Sequence, residues 1–194
     1  MASPTRLNLK FYQGSTFNET IRWESSIKKY TPITAMFKTA PLVVTASNHA
    51  MPAGWRAIIS NVLGMTEANS LGYIVGTSVT TNNITFNEVN AAGFKDYISG
   101  GTLEYNEPMS LADYTARMQI REKLTSTSTI AELTTENTKI NINDTTKTIS
   151  INITAEETAL YTFKTAVYSL ELIKGEVITP LIYGTITLDK EITR

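Results

Sequence analysis

The feature that most constrains this chain is a two-residue period in its apolar positions. Leu7, Leu9 and Phe11 alternate with Asn8 and Lys10, and Phe17, Ile21 and Trp23 hold odd positions of the next polar stretch. Tyr114, Ala116, Met118 and Ile120 alternate with Thr115, Arg117, Gln119 and Arg121. The period returns at Ile149, Ile151 and Ile153, at Tyr168, Leu170 and Leu172, and at Ile186 and Leu188. Successive side chains of a strand point to opposite faces. The pattern therefore predicts strands with one face buried and one wet, paired antiparallel in a sandwich or barrel. The expected class is all-β, and the 31 threonines suit a pleated surface.

Turn chemistry divides these runs at short intervals. Asn82-Asn83 lies between two short strands and is expected to supply positive φ to a hairpin. Lys174-Gly175 joins a strand ending near Ile173 to one starting near Val177, and Asn143-Asp144-Thr145 separates Ile142 from the Ile149 strand. Thr154 followed by Glu157 forms a capping-box pattern, which predicts one short helix near 155–161 as the crossover between two sheets. Residues 129–136 are a weaker candidate for a helical turn, because Thr134 and Thr135 disfavour it.

Charge and residue inventory exclude several functions. The 194 residues carry 17 Lys and Arg against 18 Asp and Glu, which gives no electrostatic reason to expect nucleic acid or an anionic membrane as partner. The absence of cysteine removes disulfides, thiol catalysis and Cys-type metal sites, and a single histidine removes any His-pair site within one chain. The longest apolar runs are far too short for a membrane-spanning helix. The segment MASPTRLNLKFYQ has no apolar core of a secretory signal, so the expectation is a soluble protein made in a cytoplasm.

The middle of the chain differs in texture. Seven of the ten glycines fall between Gly54 and Gly101, and the long clean alternations lie outside that stretch. This predicts a small β-domain, 33–105, inserted in a loop of a discontinuous outer domain made of 1–32 and 106–194. The N-terminal strands of the outer domain would pair with strands after residue 110.

The segments DYTARMQIREK (113–123), LTTEN (133–137), ISINITAEETALY (149–161), AVYSLELI (166–173) and GTITLDKEITR (184–194), with the opening LNLKFYQGSTFNETIRW (7–23) and Gly14 in its turn, resemble a recurring phage and prophage module. That module is the immunoglobulin-like N-terminal domain of upper-baseplate and tail-fibre-anchoring proteins. Ile120-Arg121 would end one of its strands, Ala155 to Thr158 would form its turn, and Thr193-Arg194 would close it. VVTASNHAMPAGWRAIISNVLGMTEANSLGYIV (43–75) and NAAGFKDYISGG (90–101) resemble a small β-barrel found in phage head, neck and tail proteins. The resemblance implies an immunoglobulin-like β-sandwich carrying an inserted small β-barrel. Related baseplate proteins usually continue into a region that trimerises or binds receptor, so the resemblance implies that another protein supplies that part.

No catalytic, cofactor-binding or metal-binding residue is assigned. His49 has no activated nucleophile nearby and is expected to cap its turn, as in the module it resembles. Glu157 is explained by the capping box, and Asp189 and Glu191 lie beside Lys190 and Arg194 rather than in an evident cleft. Arg117, Gln119, Arg121 and Lys123 share one strand face, either as a stripe for an acidic partner or as solvated edge protection. Asn18, Asn83, Asn143 and Asn152 match the glycosylation sequon, as chance predicts in so Asn- and Thr-rich a chain. Pro180 within Thr179–Tyr183 implies a strand edge or a bulge.

The function expected is a non-enzymatic virion structural protein, an adaptor at the tail, neck or baseplate that anchors fibres or spikes. It would be held as a multi-copy ring or homo-oligomer by other virion proteins, without nucleic acid, membrane or cofactor, and located in the virion after synthesis in the host cytoplasm. The alternative is a carbohydrate-binding module contacting the host surface, with Trp55, Tyr73, Phe94 and Tyr97 stacking on sugars.

Overall fold

The computed structural model describes residues 4–69, 72–76 and 79–191. The closing Thr193-Arg194 of the phage-module resemblance lies outside them. In chain order the strands are β1 (Thr5–Arg6), β2 (Leu9–Tyr12), β3 (Phe17–Arg22), β4 (Glu24–Pro32), β5 (Ala35–Phe37), β6 (Leu42–Thr45), β7 (Arg56–Leu63), β8 (Gly72–Ile74), β9 (Asn83–Phe86) and β10 (Ser99–Pro108). They continue as β11 (Thr115–Arg121), β12 (Ala131–Thr134), β13 (Ile140–Asn143), β14 (Thr148–Ile153), α1 (Ala155–Ala159), β15 (Thr165–Lys174) and β16 (Val177–Asp189). The protein is all-β with one short α-helix among the described residues. Two compact units are formed. Unit 1 holds the residues up to Arg22, Leu111–Asp144 and those from Thr148 on; unit 2 holds Trp23–Ser110 with Thr145–Lys147.

Unit 1 is a sandwich of two sheets. One runs β1-β16-β15-β11-β12, with β2 also beside β16; the other runs β13-β14-β3. Read as D-E-B against G-F-C, with an N-terminal strand parallel to the last one, this is the strand order of immunoglobulin-type sandwiches. The two-residue period sets the faces. Ala116, Met118 and Ile120 of β11, Ala166, Tyr168, Leu170 and Leu172 of β15, and Ile149, Ile151 and Ile153 of β14 are all buried. Phe11 of β2 packs on Phe17 of β3 with ring centres 4.3 Å apart, and on Tyr161 at 6.2 Å.

Local chemistry explains the irregular points. The Thr154 hydroxyl accepts the Glu157 N–H while the Glu157 carboxylate accepts the Thr154 N–H, so α1 starts on a complete capping box between β14 and β15. At Pro180 the β15–β16 register shifts, with Leu170 opposite Ile182 and Glu171 opposite Pro180. Leu181 is the extra residue of a bulge, placed where proline has no N–H to offer the ladder. The N-terminal strand breaks at Leu7-Asn8. There the Leu7 carbonyl accepts the Tyr168 hydroxyl at 2.8 Å, and the Thr185 N–H donates to Asn8 Oδ1 at 3.2 Å. Gly184 makes that approach possible, since a Cβ at this position would collide with the Leu7 carbonyl.

Unit 2 is a small barrel. Its strands form β4-β10-β7-β8 and β5-β6-β9. The chain crosses between the sheets at two corners. The Ile33 N–H bonds to the Gly101 carbonyl and the Thr34 N–H to the Thr45 carbonyl; at the other corner, Gly54 N–H bonds to Val75 O and Gly76 N–H to Thr85 O. Trp55, Ile59, Ile84, Phe86 and Leu103 fill the single core these sheets enclose.

Three expectations need correction. β4 was expected in the outer domain, but Thr31 pairs with Leu103 and Lys28 with Asn106, so the units divide at Arg22/Trp23 and Ser110/Leu111 rather than at 32 and 106. Residues 131–134 form strand β12 against β11, where the pairing of Leu133 with Met118 outweighs weak helical propensity. The 80–83 turn does form, with Thr80 N–H on the Asn83 carbonyl, but neither Asn82 nor Asn83 has positive φ. Left-handed backbone falls instead at Asn48, Asn61 and Asp113, among others.

Candidate functional site

His49 lies in the loop after β6, between two left-handed residues, Asn48 and Ala50, and is 1% exposed. Its Nδ1 accepts the Met51 N–H at 3.1 Å, so the neutral ring carries its proton on Nε2. Nε2 is buried and makes no hydrogen bond among the described residues. Burial holds the imidazole below its ordinary value, with the Thr80 and Asn83 backbone opposing that shift. The Tyr105 hydroxyl donates to the His49 carbonyl. The ring thus caps its own turn and touches no carboxylate in these contacts.

The carboxylates hold the frame. Glu157 accepts from Thr154 and pairs with Lys139, which, with the Thr154 contacts, holds its carboxyl below the usual range against the opposing effect of burial. Asp189 pairs with Lys10 at 2.7 Å across the parallel β2–β16 ladder. The Glu191 N–H donates to Gln13 Oε1. No group of three or more His, Asp or Glu residues that could hold a metal occurs among the described residues.

The cationic stripe of β11 is divided by its partners. Arg117 bonds Glu171 of β15 at 3.0 Å. Gln119 donates to Glu132 of β12 at 2.7 Å. Arg121 is oriented by neutral acceptors, the Ser126 carbonyl and Gln119 Oε1, and has no carboxylate partner among the described residues. Lys123 lies beyond the end of the strand, exposed.

The aromatic set proposed for sugar stacking does not form a platform. Trp55 is fully buried, and its Nε1 donates to the Asn106 carbonyl at 2.8 Å. Phe94 and Tyr97 pack against the barrel core, and the Tyr97 hydroxyl binds the Ile33 and Gly100 carbonyls. The Tyr73 side chain lies outside the described residues.

Two concavities in unit 1 gather chemistry that residue spacing did not reveal. One, about 630 Å³, lies beside β12 and α1, lined by Ile130, Lys139, Glu157, Leu160, Tyr161 and Phe163 among others. Burial pushes the Tyr161 phenol up to about 12, so it stays a neutral donor. The other, about 410 Å³, lies on the outer face of the larger sheet and includes Arg6, Arg121, Tyr183 and Leu124. Neither was legible beforehand, because each collects residues more than thirty positions apart. No helix among the described residues is long and apolar enough to cross a membrane.

No protein-family model matches this chain, and no curated protein matches it.

Proposed function

We propose that this chain is a non-catalytic structural protein of a tailed-phage or prophage particle, an adaptor at the tail, neck or baseplate that docks on the particle and anchors fibres or spikes. The observation that carries the reading is apolar surface on strands whose edges are unpaired among the described residues. β4 is nine residues long and lies at the edge of its sheet. Ile27 and Tyr30 project from its opposite faces, and both are exposed. Val177 and Ile178 are exposed at the tip of the β15–β16 hairpin. Long edges with exposed apolar residues are a liability to an isolated domain and useful to a subunit held by neighbours.

Support also comes from the order in which the chain's segments resemble phage modules, and from a side-chain inventory with no nucleophile–base pair. The mechanism is surface complementarity to other virion proteins, with a ring or homo-oligomer of copies adding avidity. The place of action is the virion, after synthesis in the host cytoplasm. Mass spectrometry of purified particles from cells carrying the gene tests this reading. The chain is expected at a constant ratio to the tail proteins; particles that lack it overturn the proposal.

A further inference from the structure

The trough on the outer face of the larger sheet of unit 1 combines features of a ligand site. Its floor is made of small residues on the two central strands: Val167 and Ser169 of β15, Gly184 and Thr185 of β16. Larger side chains flank them, among them Arg6, Arg121, Leu124 and Tyr183. No acidic residue lines it among the described residues. Neither Arg6 nor Arg121 forms an ion pair among the described residues, whereas Arg117 on the same strand as Arg121 is neutralised by Glu171. Arg121 is nevertheless held in place by the Ser126 carbonyl and Gln119, so its guanidinium is ordered without a direct ion pair among the described residues; Glu132 is reached only through Gln119.

We infer that this trough binds a carboxylated sugar residue of the uronic or sialic acid type, its carboxylate attracted by Arg6 and Arg121, the two cations that flank the floor, and its ring against Tyr183. The volume, about 410 Å³, fits a small ligand rather than a protein partner. The choice of a sugar over a peptide rests on the floor. Val167 pairs with Thr185 and Ser169 with Tyr183, so the backbone beneath the trough is consumed by the sheet and offers nothing to an extended peptide. What remains are the hydroxyls of Ser169, Thr185 and Tyr183, a half-exposed aromatic ring and two cations. This is the complement of a polyhydroxylated acid. The inference goes beyond the particle reading and does not depend on it, since it concerns the isolated chain.

The test is amide chemical-shift titration of the 15N-labelled full chain with N-acetylneuraminic acid, glucuronic acid, the methyl ester of glucuronic acid and a tetraglutamate peptide. Either acid is expected to shift amides near Gln119–Leu124, Ser169 and Tyr183–Thr185, with the ester at least about tenfold weaker. Arg121→Gln and Arg6→Gln are each expected to weaken the acid by about tenfold while leaving the rest of the spectrum in place. Because Arg6 is exposed, its variant keeps the fold even if the Arg121 loop loosens. The inference is overturned if neither acid shifts these amides, if the ester binds as well as the acid, or if tetraglutamate binds there more tightly than both sugars.

Discussion

The Asn137 carboxamide oxygen accepts the Thr134 N–H at 2.9 Å, and the Asn137 N–H returns a bond to Thr134 Oγ1 at 3.1 Å. The same side chain donates from Nδ2 to the Glu132 carbonyl at 3.0 Å. Glu132 and Thr134 belong to β12, the edge strand of the larger sheet, and these bonds lie on the side away from β11. One amide side chain therefore takes the place that a neighbouring strand's peptide would occupy. It satisfies the edge and closes it to foreign strands.

Asn137→Ala opens that edge. Each of the lost bonds contributes about 0.5–1.5 kcal/mol, and their partly exposed setting limits the total to about 1–2 kcal/mol. Urea denaturation should show a lower midpoint with an unchanged slope, and light scattering should show faster aggregation on warming. A variant as stable and as monodisperse as the parent contradicts the role.

Gly184→Ala forces a Cβ against the Leu7 carbonyl, which is backbone and cannot rotate away. The N-terminal strand must then separate from β16, at a cost of about 1–3 kcal/mol. Hydrogen exchange should report it locally, with protection lost at Leu7 and Thr185 before it is lost at β14.

His49 is the single histidine, so it dominates side-chain titration between about pH 5 and 8. Its folded value lies below the ordinary 6.5, because burial penalises the cation. The sign follows from proton uptake: the unfolded chain binds this proton more readily, so stability is full above 6.5 and falls as pH drops from there toward the folded value. Protonation at Nδ1 also removes the acceptor of the Met51 N–H. Denaturation of the parent should lose free energy over this window, and His49→Asn should flatten the profile whatever its absolute stability. An equally steep profile in the variant assigns the effect elsewhere.

Thr154→Ala removes one half of the capping box. The expected loss is about 1 kcal/mol. The Glu157 carboxyl, held low chiefly by Lys139, should titrate closer to its ordinary 4.5 in the variant, because its reciprocal contacts with Thr154 weaken. Carboxyl NMR titration reads this directly, and an unmoved Glu157 counts against the reciprocal arrangement.

The legible elements were those whose information is local. Alternation in 115–121 and 148–153 placed every buried residue on the correct face, and Thr154/Glu157 marked a helix start that the structure forms in full. Pro180 implied a strand edge or a bulge, because a missing N–H interrupts any ladder, and the β15–β16 register makes it a bulge. β4 escaped this reading: from Ser26 to Tyr30 it is exposed on both faces, so no hydrophobic period marks it, and its pairing with β10 moved the unit boundary. The 129–136 stretch was ambiguous for a related reason, since four residues are too few to show a period.

What the amino-acid order determined alone was the class of fold, the facing of its strands, the helix start at Thr154 and some of its turns, such as Lys174-Gly175. Each of these depends on residues within a few positions of one another, through side-chain alternation, capping bonds and proline geometry. Tertiary structure alone decided which charges stay unneutralised and which edges stay open. Among the described residues, Arg117 met Glu171 while Arg121 met only neutral acceptors, and Asn137 closed β12 while β4 kept a free edge. Those outcomes depend on which distant strands become neighbours, and a charge or a hydrogen-bonding group acts only on what lies within a few ångströms of it.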